Sequence, residues 1–111
     1  MALIFVKVTT TKPKDVPYYS FITPGHNEKI RNWEVTQLGK TLLYKFGTPI
    51  DENTYEHIEI FASHDAYNEY MTLKMSQPDY QERYAYNAAN NIYSVTETGI
   101  FDQDTGNLIT D

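Results

Sequence analysis

Cysteine is absent from the 111 residues of this chain. Disulfides, thiolate metal sites and thiol nucleophiles are therefore excluded together. Basic residues are few, nine Lys and Arg against fifteen Asp and Glu, for a net charge of −6. Nucleic-acid binding normally needs a basic stripe, and the densest basic run here, Lys7 to Lys14, is short and broken by threonines and Pro13. No nucleic-acid partner is expected. Long apolar runs are missing as well: the opening ALIFVKV is too short for a signal peptide or a membrane span, and Lys7 interrupts it. A chain with no membrane association, residing in the cytoplasm, is the expectation. No repeat, low-complexity tract or linker divides the sequence, so residues 1–111 read as one domain, with 102–111 as a C-terminal turn and tail. GxSxG, Gly-rich phosphate loops and HExxH are all missing, and no cofactor is expected.

What the chain does have is tyrosine, ten residues against five Phe and one Trp. A ring with a hydroxyl that needs a partner suits half-buried faces, interfaces and pocket walls. The local patterns then give an order of elements. Residues 2–9, ALIFVKVT, form a strand that is apolar on both faces, and such a strand belongs in the middle of a sheet. KPKDVPYY (12–19) is a proline-punctuated connection. TPGHNEKIRNWEVTQLGK offers a helix with Asn27 as N-cap, Glu28 in its first turn and Gly39 at its end, placing Ile30, Trp33 and Leu38 toward the core. NWEVTQL also reads as a strand, so whether 27–38 is helix or strand stays open. KTLLYKFG (40–47) is a second strand with Leu42, Tyr44 and Phe46 on one face, TPIDEN is a turn, and TYEHIEIFA (54–62) completes an antiparallel hairpin. Ser63 caps a helix in which Tyr67, Met71 and Met75 recur every four residues beside Tyr70. Pro78 breaks it and restarts a second segment carrying Tyr80 and Tyr84 to about Asn90. IYSVTETGIF (92–101) is the fourth strand, and DQDTGNLIT closes with a turn and room for a short hairpin arm.

The order β-α-β-β-α-β is the α+β, ferredoxin-like arrangement: an antiparallel four-stranded sheet with its helices on one face. Because the strands are apolar on both faces, the uncovered face calls for a partner, and a homodimer joined through that sheet face is expected.

YEHIEIFASHDAY (55–67) carries most of the candidate chemistry. Strand parity puts Tyr55, His57, Glu59 and Phe61 on one face, and Glu56, Ile58, Ile60 and Ala62 on the other. His57 and Glu59 are thus same-face neighbours. They are the best candidates for a base and its orienting carboxylate, or else a hydrogen-bonded pair on a half-wet face or at the dimer interface. Which face they occupy cannot be read from parity. A metal site would have to combine them with His64 and His26, at no recognised ligand spacing, so none is expected. DQDTGN resembles a calcium loop only at its start: Gly106 comes one place early and no twelfth-position glutamate follows. The Tyr and Met set on the helices reads first as core. The same residues can also form an amphipathic pocket wall, with Trp33, Tyr67, Tyr70, Met71 and Tyr84 around His57 and Glu59 as the ligand-binding set.

The run IEIFASHDAYNEYM, its SQPDYQER break and a last strand resemble the dimeric α/β-barrel superfamily. Its members include antibiotic-biosynthesis-monooxygenase-like, muconolactone-isomerase-like and stress-responsive barrel proteins. The resemblance rests on Phe61, Ser63, Asp65, Ala66 and Tyr67 where the helix starts, and on Ser76, Pro78 and Tyr80 at the break. It covers residues 40–101 well and 1–39 by topology only, and the Pro-rich 10–26 segment departs from the common first connection. It implies ferredoxin-like subunits paired sheet to sheet, each with a pocket between its sheet and its helices. The expected function is binding of a small apolar or amphipathic ligand, an acyl chain or an aromatic compound. The alternatives are a cofactor-independent oxygenase or isomerase using His57, or a structural protein with no ligand.

Overall fold

A computed structural model describes residues 2–110 of the chain. Five strands form one antiparallel sheet in the order β2-β3-β1-β4-β5. The central strand is β1 (Ala2–Thr11), whose run of Ile, Val and Thr fits a pleated strand with neighbours on both sides. It pairs with β3 (Thr54–Phe61) and with β4 (Tyr93–Asp102) along its length. β2 (Tyr44–Asp51) is an edge strand, which is why Pro49, lacking an N–H, is tolerated there. Four of these strands make the expected ferredoxin-like sheet. The fifth, β5 (Leu108–Thr110), folds back onto β4 at the other edge, so the sheet has five strands rather than four.

The helices lie on one face. α1 (Tyr19–Ile22) is a single turn inside the Pro-rich 10–26 segment, where no helix was expected. α2 (His26–Gln37) settles the open segment as helix. Its N-cap is Gly25 and not Asn27: Gly25 adopts φ +82°, and the chain enters the helix two residues earlier than an Asn27 cap would dictate. α3 (His64–Met75) starts as expected, with Ser63 Oγ accepting a hydrogen bond from the Ala66 amide at 3.1 Å. α4 (Pro78–Ala89) starts on its proline and ends at Asn90, followed by Asn91 with φ 59°. α3 and α4 pack on each other, and α1 and α2 rest on α4. No helix among the described residues is long and apolar enough to cross a membrane.

Three expectations about residues 38–53 need correction. Leu38 is exposed, because α2 ends at Gln37 and a tight loop follows in which the Leu42 amide donates to the Gln37 carbonyl. The second strand begins at Tyr44 rather than Lys40, which breaks the parity linking Leu42 to Tyr44 and Phe46. Leu42 is fully buried on the helix side, whereas Tyr44 and Phe46 lie 63% and 55% exposed on the outer face. TPIDEN is mostly strand: β2 runs to Asp51, past an irregularity after Pro49, and only Glu52 and Asn53 form the turn.

Two apolar clusters sandwich the sheet. Val6, Leu42, Phe61 and Tyr70 form the helix-side core, with Trp33, Tyr67 and Met71 packed against it. Leu3, Phe5 and Ile60 form a smaller cluster on the outer side with Leu43, Ile58 and Phe101. Phe5 is buried there because its cross-strand partner is Gly99, over which the ring lies.

Candidate functional site

The strand face beneath the helices carries Val6 and Val8 of β1 opposite Glu59 and His57 of β3. Between this face and α2, α3 and α4 lies a cavity of about 1030 Å³. His57 and Glu59 therefore face the helices and the cavity, which resolves the choice that parity left open. Tyr67 and Met71 of α3 and Tyr84 of α4 line the same space, together with Ile30 and Glu34 of α2 and Lys45 of β2.

Trp33 and Tyr70, expected in the wall, sit behind it. Tyr70 is fully buried between Phe61 and Trp33, with ring centroids 5.3 Å and 5.5 Å away, and Trp33 also meets Tyr80 edge-on at 5.5 Å. These rings hold the wall residues in place without touching the cavity. Met75 lines the cavity but is largely exposed. His64 is exposed at the start of α3, and His26 is buried at the start of α2 against Tyr19. Among the described residues no group of three or more His, Asp or Glu converges as a metal site.

His57 Nε2 stands 3.7 Å from Glu59 Oε1, longer than a hydrogen bond. Burial pushes the imidazole pKa down, outweighing the upward pull of Glu59, so His57 is neutral at pH 7. Its Nε2 has no hydrogen-bond partner among the described residues. Burial works against ionisation of Glu59 too, but contact with His57 and the charges of Lys74 and Lys45 outweigh it and hold the carboxyl down at about 2. The site thus pairs a neutral imidazole with a buried carboxylate. Burial, reinforced by the nearby Glu59 charge, pushes the Tyr67 and Tyr70 hydroxyls up, and burial with Glu34 does the same to Tyr80. All three phenols stay protonated and able to donate.

Four charged residues of the inner wall escaped the sequence reading. Lys45 reaches across from β2 to pair with Glu34 of α2. Lys74 is 4% exposed, with Nζ 4.8 Å from the Tyr80 ring centroid and 5.8 Å from those of Tyr70 and Tyr84. Arg83 lies 4.8 Å from the Tyr80 centroid and 5.7 Å from that of Tyr84. A signal for Lys74 was present: the inward stripe Tyr67, Tyr70, Met71 continues at position 74, so the pattern points a lysine inward.

The Pro-rich connection supplies a further wall, Tyr18 to Phe21. It is pinned at both ends. Tyr86 Oη donates to the Pro17 carbonyl at 2.7 Å and Tyr19 Oη to Glu82 at 3.2 Å, while Lys12 Nζ donates to Asn53 Oδ1 at 3.1 Å.

No protein-family model and no curated protein sequence matches the chain. Solved structures do. Protein Atu4242 of Agrobacterium tumefaciens aligns with a TM-score of 0.55 at 22% identity, over 95% of this chain and 99% of that one. A second structure of Atu4242, described as a NIPSNAP family protein of unknown function, aligns at 0.51 and 23% identity over 87% and 85%. A candidate antibiotic biosynthesis monooxygenase of Deinococcus radiodurans aligns at 0.51 and 10% identity, over 97% of each chain. The chain has the ferredoxin-like fold that these NIPSNAP and antibiotic-biosynthesis-monooxygenase-like structures share.

Proposed function

We propose that this protein binds a small amphipathic molecule, aromatic or acyl, in the cavity between sheet and helices, and that it does so as a homodimer. The observation that carries the binding reading is the cavity itself. Its volume is at the upper end of what small-molecule sites span, and its apolar and aromatic side chains are joined by a few buried or half-buried polar groups, with His57 and Glu59 on the sheet floor. The dimer reading is supported by the outer sheet face, where Tyr44, Phe46, Tyr93 and Val95 are each more than half exposed. Flanking strands place them on one surface, and a second copy packed face to face about a two-fold axis would cover it.

A second reading makes the same site catalytic. A neutral imidazole with an unpartnered Nε2 beside an ionised carboxylate is suited to remove a proton from a bound acidic C–H or O–H group. Such a step could open a cofactor-independent oxygenation or isomerisation. Native mass spectrometry of the purified protein, followed by denaturing extraction, tests the binding reading. A copurifying small molecule, lost when Met71→Trp fills the cavity, is the expected result. A library of aromatic and acyl compounds that neither shifts the melting temperature nor quenches Trp33 fluorescence would reject it. For the catalytic reading, His57→Ala should abolish turnover of an identified ligand while leaving its binding in place.

A further inference from the structure

The cavity's inner wall is one negative charge short, although charges balance over the whole lining. That wall carries three cations, Lys45, Lys74 and Arg83, against two anions, Glu34 and Glu59. Arg31, Asp51 and Glu52 also border the cavity, but they are exposed and screened by water. Lys45 is matched by Glu34. Glu59 faces His57 at 3.7 Å and joins no ion pair with Lys74. Lys74 and Arg83 enter no ion pair among the described residues, although Lys74 is almost wholly buried. A buried lysine is rarely left so. What surrounds the two cations is the face of Tyr80 and the stacked Tyr84 ring, 6.2 Å from it. Ring faces offset only part of the cost of withdrawing an ammonium group from water. The protein as a whole is acidic, so this local excess of positive charge runs against its composition.

We infer that the cavity takes an organic anion, an aromatic or acyl compound whose single acidic group seats against Lys74 and Arg83 with its apolar part along Tyr67, Met71 and Tyr84. This inference rests on the binding reading above and narrows it to one ligand class. The geometry also sets an orientation. The anionic end lies toward α3 and α4, and the carboxylate of Glu59 on the sheet repels it from the floor. The middle of the ligand then passes His57, which carries no charge to compete for the acid.

The test compares two fluorescent probes of one shape: anilinonaphthalene sulfonate, which is anionic, and phenylnaphthylamine, which is neutral. Energy transfer from Trp33, packed against Tyr80 beneath the site, reports binding of both. In the wild type the anion should bind more tightly. Lys74→Met and Arg83→Gln should each weaken it by about tenfold or more, as expected for loss of a buried charge-assisted contact, and leave the neutral probe within about twofold. Lys74→Met replaces a buried charge with an apolar side chain of similar length, and Arg83→Gln is an independent second variant if the first fails to fold. Equal affinity for both probes in wild type and variants overturns the anion inference but leaves the cavity reading standing. If neither probe binds the wild type, both fall.

Discussion

His57 and Glu59 lie two residues apart on β3, on the same face of the sheet, with Nε2 and Oε1 separated by 3.7 Å under the helices. Burial and the neighbouring lysines, Lys45 and Lys74, hold the imidazole neutral, while the same lysines together with His57 keep the carboxyl ionised against the cost of burial. The pair therefore couples the stability of the fold to pH through two groups that titrate in different windows.

The upper window belongs to His57. Its pKa is lower in the folded chain than the ordinary 6.5 it regains on unfolding, so the unfolded chain takes up its proton first as pH falls. The stability tied to neutral His57 is complete above pH 6.5 and is lost as pH drops from there toward the folded value. Urea denaturation midpoints should decline from about pH 6.5 downward in the wild type. In His57→Gln, which cannot take up a proton, that first decline should flatten. A variant with an unchanged profile between neutrality and pH 5 would show that His57 takes up its proton as readily in the folded chain as in the unfolded one.

Glu59 governs the lower window. Its folded pKa of about 2 lies below the ordinary 4.5, so its contribution is present above pH 4.5 and disappears as pH falls toward 2. A shift of that size corresponds to roughly 3 kcal/mol at neutral pH. Glu59→Gln keeps the shape and removes the charge, so it should cost about that much at pH 7. The difference should shrink as the wild type itself is titrated toward pH 2. Equal stability of the two proteins at pH 7 would mean that desolvation cancels everything His57, Lys74 and Lys45 supply.

Much of this site was readable in the residues because the relevant forces are local. The alternation that places His57 with Glu59, the Ser63 hydroxyl at the start of α3 and the proline opening α4 each act within a few positions of chain. What could not be read depends on contacts between distant segments. Which sheet face the helices cover decides whether His57 meets a cavity or a partner subunit, and no single strand encodes that. The loop after Gln37 turns Leu42 away from Tyr44 and Phe46, undoing a parity that a continuous strand would have kept. Lys74 was passed over because a lysine is by default a solvated residue, although its helix position points inward. The Pro-rich 10–26 segment is held as a cavity wall by Tyr86, Glu82 and Asn53, each more than 25 residues from the group it holds.

The outer sheet face leads to a prediction about assembly. Phe46 on β2 and Val95 on β4 expose apolar surface at opposite sides of the sheet, so a charge at either point would be buried unpaired in a face-to-face dimer. Light scattering should give a dimer for the wild type and a monomer for Phe46→Glu and for Val95→Glu. Cavity ligand affinity should change little if each subunit holds its own site. A wild-type protein that stays monomeric at tens of micromolar would end the dimer reading.

The two strand glycines separate a fixed neighbour from a movable one. A methyl group on Gly99 would run into the Ile109 carbonyl and lie 2.7 Å from Phe5 Cε1, so both the β5 backbone and a fully buried ring stand in its way. Neither can shift without opening the β4–β5 pairing or the outer cluster of Leu3, Phe5 and Ile60. Gly99→Ala should therefore cost about 1–3 kcal/mol, an overpacking penalty, and speed amide exchange in residues 108–110. A methyl group on Gly47 would meet only the hydroxyl end of Tyr55, a side chain 40% exposed and free to swing aside. Gly47→Ala should stay within about 0.5 kcal/mol of wild type, as surface substitutions do. Because Tyr55 lines the cavity, its displacement should register in probe affinity rather than in stability. If Gly99→Ala proved as mild as Gly47→Ala in urea unfolding, β5 would not be held against β4 in solution, and the fifth strand would contribute nothing to burying Phe5.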